Sequence, residues 1–377
     1  MAKIAIIYMH TEDTMKIWQN ETEFTVDNPI VIEIFTESML FFDIETTGFS
    51  PTHTQIYLIG CAARRGRLIC VTQFFAEKPQ EEKSVLAAFL KLASQYDGLI
   101  SFNGLGFDIP YLRKRLAHHG LPDALECPHL DIFHEIAKFK PVLRLANLKQ
   151  KTLEGFLGIA RDDKYSGGDL INVYQDYAKH PSMKSAELLR LHNYEDLLGM
   201  PGLLPLLAYP RLFGGAFKVL SCEKNAYKTY EDGQELELIL TLSLDNPLPR
   251  RFSYGRQDIY LTGYDRQARL KVSIYQGELK YFYPNYKDYY FLPEEDRAIH
   301  KSVAFYVDKD FRTKAKAATC YSKKTGCFLP QYQEIISPYF KLEFHDKVTW
   351  FEMTEDFTDS AELQAKYAQH ILEYLIK

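Results

Sequence analysis

Several features that would assign a chain to a class at once are missing here. No apolar run approaches the roughly 18 residues that cross a bilayer as a helix, which excludes a helical membrane protein. The six cysteines, at positions 61, 70, 127, 222, 320 and 327 of 377 residues, are too sparse for a disulfide scaffold. None stand two to four apart, as structural zinc ligands do. They are expected to be reduced, buried small side chains. An excess of positive charge is also lacking: 45 Lys and Arg face 50 Asp and Glu, for a formal net charge of −5. Any affinity for nucleic acid must therefore be local. The first ten residues hold one Lys before a short apolar stretch, with no small-residue cleavage site after it, and make a poor secretory signal. The expectation is a soluble, cytoplasmic protein with no membrane partner.

What is present is an ordinary globular composition, 46% hydrophobic and 25% charged, in a length that suggests two domains. Residues 1–209 carry 21 basic and 26 acidic side chains, whereas residues 210–377 carry 24 of each and 17 of the 26 tyrosines. The shift coincides with Pro201, Pro205, Pro210 and the Gly214-Gly215 pair, so a boundary is expected near 210. Beyond it, alternating runs such as Glu235 to Leu244 and Leu270 to Tyr275 predict a strand-rich α+β accessory domain over 210–377. Residues 1–38, with strand-like pieces Ile4–Tyr8 and Ile30–Phe35, read as an N-terminal extension.

Between 39 and 209 the pattern changes. Strands are expected at Met39–Ile44, Gln55–Ala63 and Leu68–Ala76, a helix over Glu81–Gln95 and a fourth strand at Gly98–Phe102. Further helices are expected at Pro110–His119, Leu130–Lys138, Ala146–Leu157, Gly168–Lys179 and Ser185–Leu198. Three hairpin-linked strands followed by strand–helix alternation predict an α/β fold, a mixed sheet flanked by helices on both faces.

Acids occur on three of these elements. Asp43 and Glu45 end an apolar strand, and the period of two turns them to the same face. Asp108 stands where a strand gives way to a helix, at the sheet edge where open α/β folds keep their sites. His192 and Asp196 lie about 40° apart around one helix, with Tyr194 about 160° away from Asp196. Bland alternatives exist for the first two, a strand running out into solvent and a helix cap. Together, four carboxylates in an apolar setting are what two hard divalent cations, Mg2+ or Mn2+, require for phosphodiester displacement. His192 suits orienting or deprotonating the attacking water. The pairs His118-His119 and Asp131/His134 read as structural, and Lys149 and Lys151 as solvated.

The order DxETTG (43–48), NGxxFDxPYL (103–112) and a late-helix acid resembles the three motifs of the DEDD 3′-to-5′ exonucleases of the ribonuclease-H-like fold. The stretches LDIFH (130–134), LKQKTLEGFLG (148–158) and HNYED (192–196) resemble the bacterial YprB-type exonuclease group. The resemblance covers about 39–209. It implies that Asp43, Glu45, Asp108 and Asp196 are metal ligands. It also implies that Thr46, Thr47 and Gly48 hold the terminal nucleotide, and that Asn103 and Phe107 line its sugar and base. The family's general base is a Tyr four residues before the last Asp or a His five before it. His192 stands at the tyrosine spacing, and the helical face favours it over Tyr194. The implied activity removes nucleoside 5′-monophosphates from 3′ ends of single-stranded or frayed DNA or RNA. A catalytically silent nucleic-acid-binding scaffold and an endonuclease of the same fold are the alternatives.

In the accessory region, Arg312 to Lys324 contains five basic residues and no acid, with Phe311, Tyr321 and Phe328 nearby. Such a mixture suits single-stranded nucleic acid, though a solvated surface explains it too. Tyr281, Tyr283, Tyr286, Tyr289 and Tyr290 read as β-core or sheet-edge residues.

Overall fold

The computed structural model describes residues 15–161, 165, 167–228 and 233–377, and the expected strand Ile4–Tyr8 lies outside them. The chain divides into two compact units, Met1–Pro210 with Leu248–Arg250, and Arg211–Pro247 with Arg251–Lys377.

In the first unit the elements run β1 (Lys16–Glu23), α1 (Pro29–Ile34), β2 (Met39–Thr46), β3 (Ile56–Arg65), β4 (Leu68–Phe75), α2 (Glu82–Ala93), β5 (Gly98–Ser101) and α3 (Asp108–His118). After these come β6 (His129–Asp131), α4 (Ile132–Ile136), α5 (Lys140–Leu143), α6 (Gln150–Leu157), α7 (Gly167–Lys179) and α8 (Met183–Leu203). One six-stranded sheet has the order β1-β4-β3-β2-β5-β6. β2, β3, β4 and β1 pair antiparallel. β2 pairs parallel with β5, Leu40 opposite Leu99, and β5 parallel with β6.

Strand alternation sorts β2. Leu40, Phe42 and Ile44 pack with Val85, Leu86 and Phe89 of α2 and with Leu112 and Leu116 of α3. Asp43 and Glu45 consequently face the other side, where Tyr57, Leu58 and Phe75 meet Tyr174 and Tyr177 of α7 and Leu189 of α8. Behind the first face, buried Glu82 receives hydrogen bonds from the Ile56 amide (2.8 Å) and Arg115 (Nε, 2.8 Å), and contacts His119 at 2.8 Å. These charge-assisted bonds outweigh burial and hold its carboxyl below the usual range. His119 is thus structural, as its sequence context suggests.

Two expectations are corrected and one strand was unforeseen. Ile30–Phe35 is no strand: Asn28 accepts the Ile30 amide at 3.0 Å and Pro29 opens helix α1. A polar stretch, KIWQNETE, forms edge strand β1, which the apolar pattern missed because only Trp18 is buried in it. The helix expected from Leu130 is preceded by β6, and three residues are too few to display a period of two.

The second unit contains β7 (Phe217–Lys228), β8 (Gln234–Arg256), β9 (Ile259–Phe282), β10 (Tyr289–Leu292), β11 (Arg297–His300), β12 (Thr313–Lys314), β13 (Tyr321–Gln331), β14 (Tyr339–Phe340) and β15 (Thr349–Glu352). They make a six-stranded sheet, β14-β15-β13-β9-β8-β7, and a small one, β11-β10-β12. Leu238, Leu240, Leu242 and Leu244 on β8 and Ala268, Leu270 and Val272 on β9 alternate inward. The C-terminal helix Ala361–Leu375 buries Tyr367, Ile371 and Leu372, and the Tyr367 hydroxyl donates to the Pro330 carbonyl at 3.0 Å. The tyrosine cluster is packed: Tyr283 and Tyr289 stack with centroids 4.7 Å apart.

Candidate active site

The period of two that turns Asp43 and Glu45 off the hydrophobic face of β2 aims them at α8. That helix can come close because Gly60, opposite Asp43 on β3, has no side chain. A Cβ there would overlap Asn193 Oδ1 and Leu197 Cδ1. Asn193, fully buried, donates to Asp43 Oδ2 at 2.8 Å and accepts a hydrogen bond from Gln73 Nε2 at 2.8 Å. Gln73 also donates to the Arg190 carbonyl at 3.0 Å. A β4 glutamine and an α8 asparagine thus fix the Asp43 carboxylate. The third acid, Asp108, opens α3 and accepts the Ile44 amide at 3.1 Å, which ties the end of β2 to the start of α3.

His192 and Asp196 share a face of α8, as the helical spacing predicts. His192 Nε2 lies 3.5 Å from Glu45 Oε1 and 3.3 Å from Asp196 Oδ2. One donor atom from each of Glu45, His192 and Asp196 falls within 4.8 Å of the others. Tyr194 turns away, with the Arg190 guanidinium 5.6 Å over its ring.

The electrostatics report the same convergence. Burial, and then the charges of Asp108, Asp196 and Glu45, push the Asp43 carboxyl well above its ordinary value. Glu45 is pushed up to about 7 by burial, with His192 opposing and Asp196 and Asp108 adding to the rise. Asp108 is likewise pushed up to about 7, chiefly by burial. Burial leaves Asp43, Glu45 and Asp108 favouring a neutralising partner, whereas Asp196 already meets a guanidinium, that of Arg161. A hard-oxygen donor set of this kind, beside an imidazole, fits a divalent cation.

An open cleft of about 330 Å3 is lined by Asp43, Glu45, Thr46, Phe49, Phe107, Gly167, Ile171, His192 and Asp196. Phe49, 80% exposed, and Phe107 approach edge to face with centroids 6.4 Å apart. Of the nucleotide-binding residues expected from sequence, Thr46 and Phe107 therefore line the cleft. Thr47 and Gly48 build the turn beside it: the Thr47 amide donates to the Gln55 carbonyl at 2.9 Å, and Gly48 accepts the Thr46 hydroxyl at 2.8 Å. Asn103 takes a left-handed conformation, φ 63°, in the loop before α3. Asp131 accepts the amides of Asn103 (2.8 Å), Leu105 (2.9 Å) and His134 (3.3 Å), so it clamps that loop besides capping α4.

Sequence reasoning missed Asn193 and Gln73, and it missed Arg161. The Arg161 guanidinium meets Asp196 Oδ1 at 2.6 Å and Glu154 Oε2 at 2.9 Å. Gln150, also on α6, donates to the Asp196 carbonyl at 2.8 Å. Glu154 is wholly buried, in space left by Gly199, where a Cβ would overlap its carboxylate. The alternation of Asn193 with His192 was visible in the sequence. Arg161 lies 35 residues before Asp196 with no periodic link to it.

A family model described as RNase_H superfamily matches residues 40–207, which include every acid above. The first unit has a ribonuclease-H-like fold, a mixed sheet between helices. No curated protein matches the chain. Among solved structures, the family B DNA polymerase of the hyperthermophilic archaeon Pyrobaculum calidifontis is 18% identical, with a TM-score of 0.37, over 47% of this chain and 26% of the polymerase. Exonuclease I of E. coli bound to single-stranded DNA is 12% identical, with a TM-score of 0.26, over 55% of this chain and 54% of its own. The chain spans about half of exonuclease I and a quarter of the polymerase.

Proposed function

We propose that the first unit is a metal-dependent 3′-to-5′ exonuclease that hydrolyses terminal phosphodiester bonds of single-stranded or frayed nucleic acid and releases nucleoside 5′-monophosphates. The observation that carries this reading is the cluster of Glu45, His192 and Asp196, donor atoms within 4.8 Å of one another, in a cleft that Asp43 and two aromatic rings also line, with Asp108 tied to β2 through the Ile44 amide. The motif resemblance to DEDD exonucleases and the YprB-type group supports it. The four carboxylates would hold two divalent cations, Mg2+ or Mn2+. When bound, these neutralise phosphate charge and lower the pKa of a water.

The rest falls to the chain's own side chains. Phe49 and Phe107 offer edges and faces to the terminal base, and Thr46 borders its sugar. His192 takes the proton from the attacking water as the oxygen–phosphorus bond forms and the bond to the leaving 3′ oxygen breaks. Glu45 and Asp196 both lie near its Nε2, 3.5 and 3.3 Å away, and keep the imidazole at the cleft. The Glu154–Arg161 pair holds Asp196 in place from behind the site.

Digestion of 5′-labelled single-stranded DNA and RNA with Mg2+ or Mn2+ tests this. Stepwise shortening from the 3′ end is expected for the wild type and none for Asp43→Ala or Asp196→Ala. Internal fragments would instead indicate an endonuclease, and intact substrate with the wild type would leave the scaffold reading.

A further inference from the structure

The basic, aromatic run Arg312–Lys324 does not present itself as its sequence suggests. Tyr321 and Phe328 are buried. Lys323 is paired with Asp296 (2.5 Å) and Glu278 (3.3 Å), and Lys324 with Glu352 (2.5 Å). The exposed aromatics lie just upstream. Val303, Phe305, Tyr306 and Phe311 are 56, 78, 87 and 52% exposed.

These side chains belong to one built surface. A single helical turn, Lys301–Ala304, follows β11, and its Ala304 is buried. Arg312 donates to the Ala304 carbonyl and stacks over Tyr290 of β10 at 4.9 Å, which ties the chain next to Phe311 to the turn that carries Phe305. Thr313 and Lys314 then pair with Phe291 and Tyr290 as β12. Phe305 and Tyr306 stand perpendicular, centroids 5.5 Å apart, and both are largely exposed. In the same segment Lys309, Lys314 and Lys316 are exposed, and among the described residues no carboxylate lies within 4.0 Å of their ammonium groups. The segment 301–316 holds five basic residues against two acidic ones, in a unit with none in excess overall.

Exposed rings set among unpaired cations match a ligand with alternating flat apolar groups and negative charges. We propose that the surface formed by Val303 to Lys316 docks single-stranded nucleic acid, bases on Phe305, Tyr306 and Phe311 and phosphates on Lys309, Lys314 and Lys316. This inference rests on the nuclease reading of the first unit, because it supplies a second hold on the same substrate class. A face that were merely apolar would not carry the lysines, and a solvated one would not carry the rings.

The test uses the full chain in EDTA, so binding is read without cleavage. Fluorescence anisotropy with an oligothymidylate of about 20 nucleotides is measured for the wild type, Phe305→Ala/Tyr306→Ala and Lys314→Gln/Lys316→Gln. The aromatic variant should bind roughly tenfold or more weakly. In the lysine variant the slope of log affinity against log salt should fall by about 0.7 per lysine. These side chains are exposed, so unchanged melting curves are expected to accompany both losses. Unchanged affinity and salt slope in both variants would overturn the proposal. So would a change of sedimentation from dimer to monomer with binding intact, since the face would then belong to a second copy. Hydrolysis of a nitrophenyl ester of thymidine 5′-monophosphate, which needs only the cleft, separates the two readings: its failure in the wild type counts against the nuclease, not against this face.

Discussion

Consecutive residues of α8 face three ways, and that divides their work. His192 turns to Glu45 and Asp196, Asn193 to Asp43, and Tyr194 to Arg190. A helix advances about 100° per residue, so it was readable from spacing that His192, and not Tyr194, shares a face with Asp196. Replacing His192 with Gln should lower the single-turnover rate by about 10²–10⁴-fold, the usual worth of a general base. Stabilisation by Mn2+ should persist in that variant, and Tyr194→Phe should cleave like the wild type. A wild-type rate in His192→Gln would remove the imidazole from the mechanism. The partners of these groups were less readable. Gln73 and Asn193 are 120 positions apart, and Arg161 stands before α7, 35 positions from Asp196 and on no shared period.

At the level of elements, the site depends on how closely α8 lies on β3. Gly60 permits that approach, whereas Gly155 in α6 has nothing within 4 Å of the place a Cβ would take and ordinary helical backbone. Their alanine variants should therefore differ in sign. Gly60→Ala should lose about 1–3 kcal/mol through overpacking and should cleave poorly, because Asn193 no longer seats Asp43. Gly155→Ala should gain about 0.5–1 kcal/mol from backbone entropy. Urea denaturation read together with cleavage rate checks both, and a stable, active Gly60→Ala would break the link between helix placement and the acids. The strands of the central sheet were legible where apolar runs were strong, continuous in β2 and β3 and alternating in β4. Polar β1 and three-residue β6 were not, because edge pairing and a parallel neighbour, rather than their own side chains, make them strands.

Across the whole molecule, the acid cluster opposes folding whenever no cation is bound. Glu45 and Asp108 are pushed up to about 7, above the ordinary carboxyl range, so in that window the folded chain holds more protons than the unfolded one. Stability then falls as pH rises through it. In EDTA, Asp43→Asn should melt higher than the wild type at pH 8, by more than it does at pH 5. Adding Mn2+ at about 100 times its dissociation constant should stabilise the wild type by about 2.7 kcal/mol and the variant far less. Equal melting of the two proteins at pH 8 would contradict the electrostatic account. The amino-acid order by itself determined the fold class of residues 39–209, the shared face of Asp43 and Glu45 and that of His192 and Asp196, because strand and helix periods act over a few neighbouring residues. Only the tertiary structure decided that Asn193, Gln73 and Arg161 hold the acids and that Phe305 and Tyr306, rather than Tyr321 and Phe328, face solvent. Those outcomes depend on contacts between distant segments, which no local period encodes.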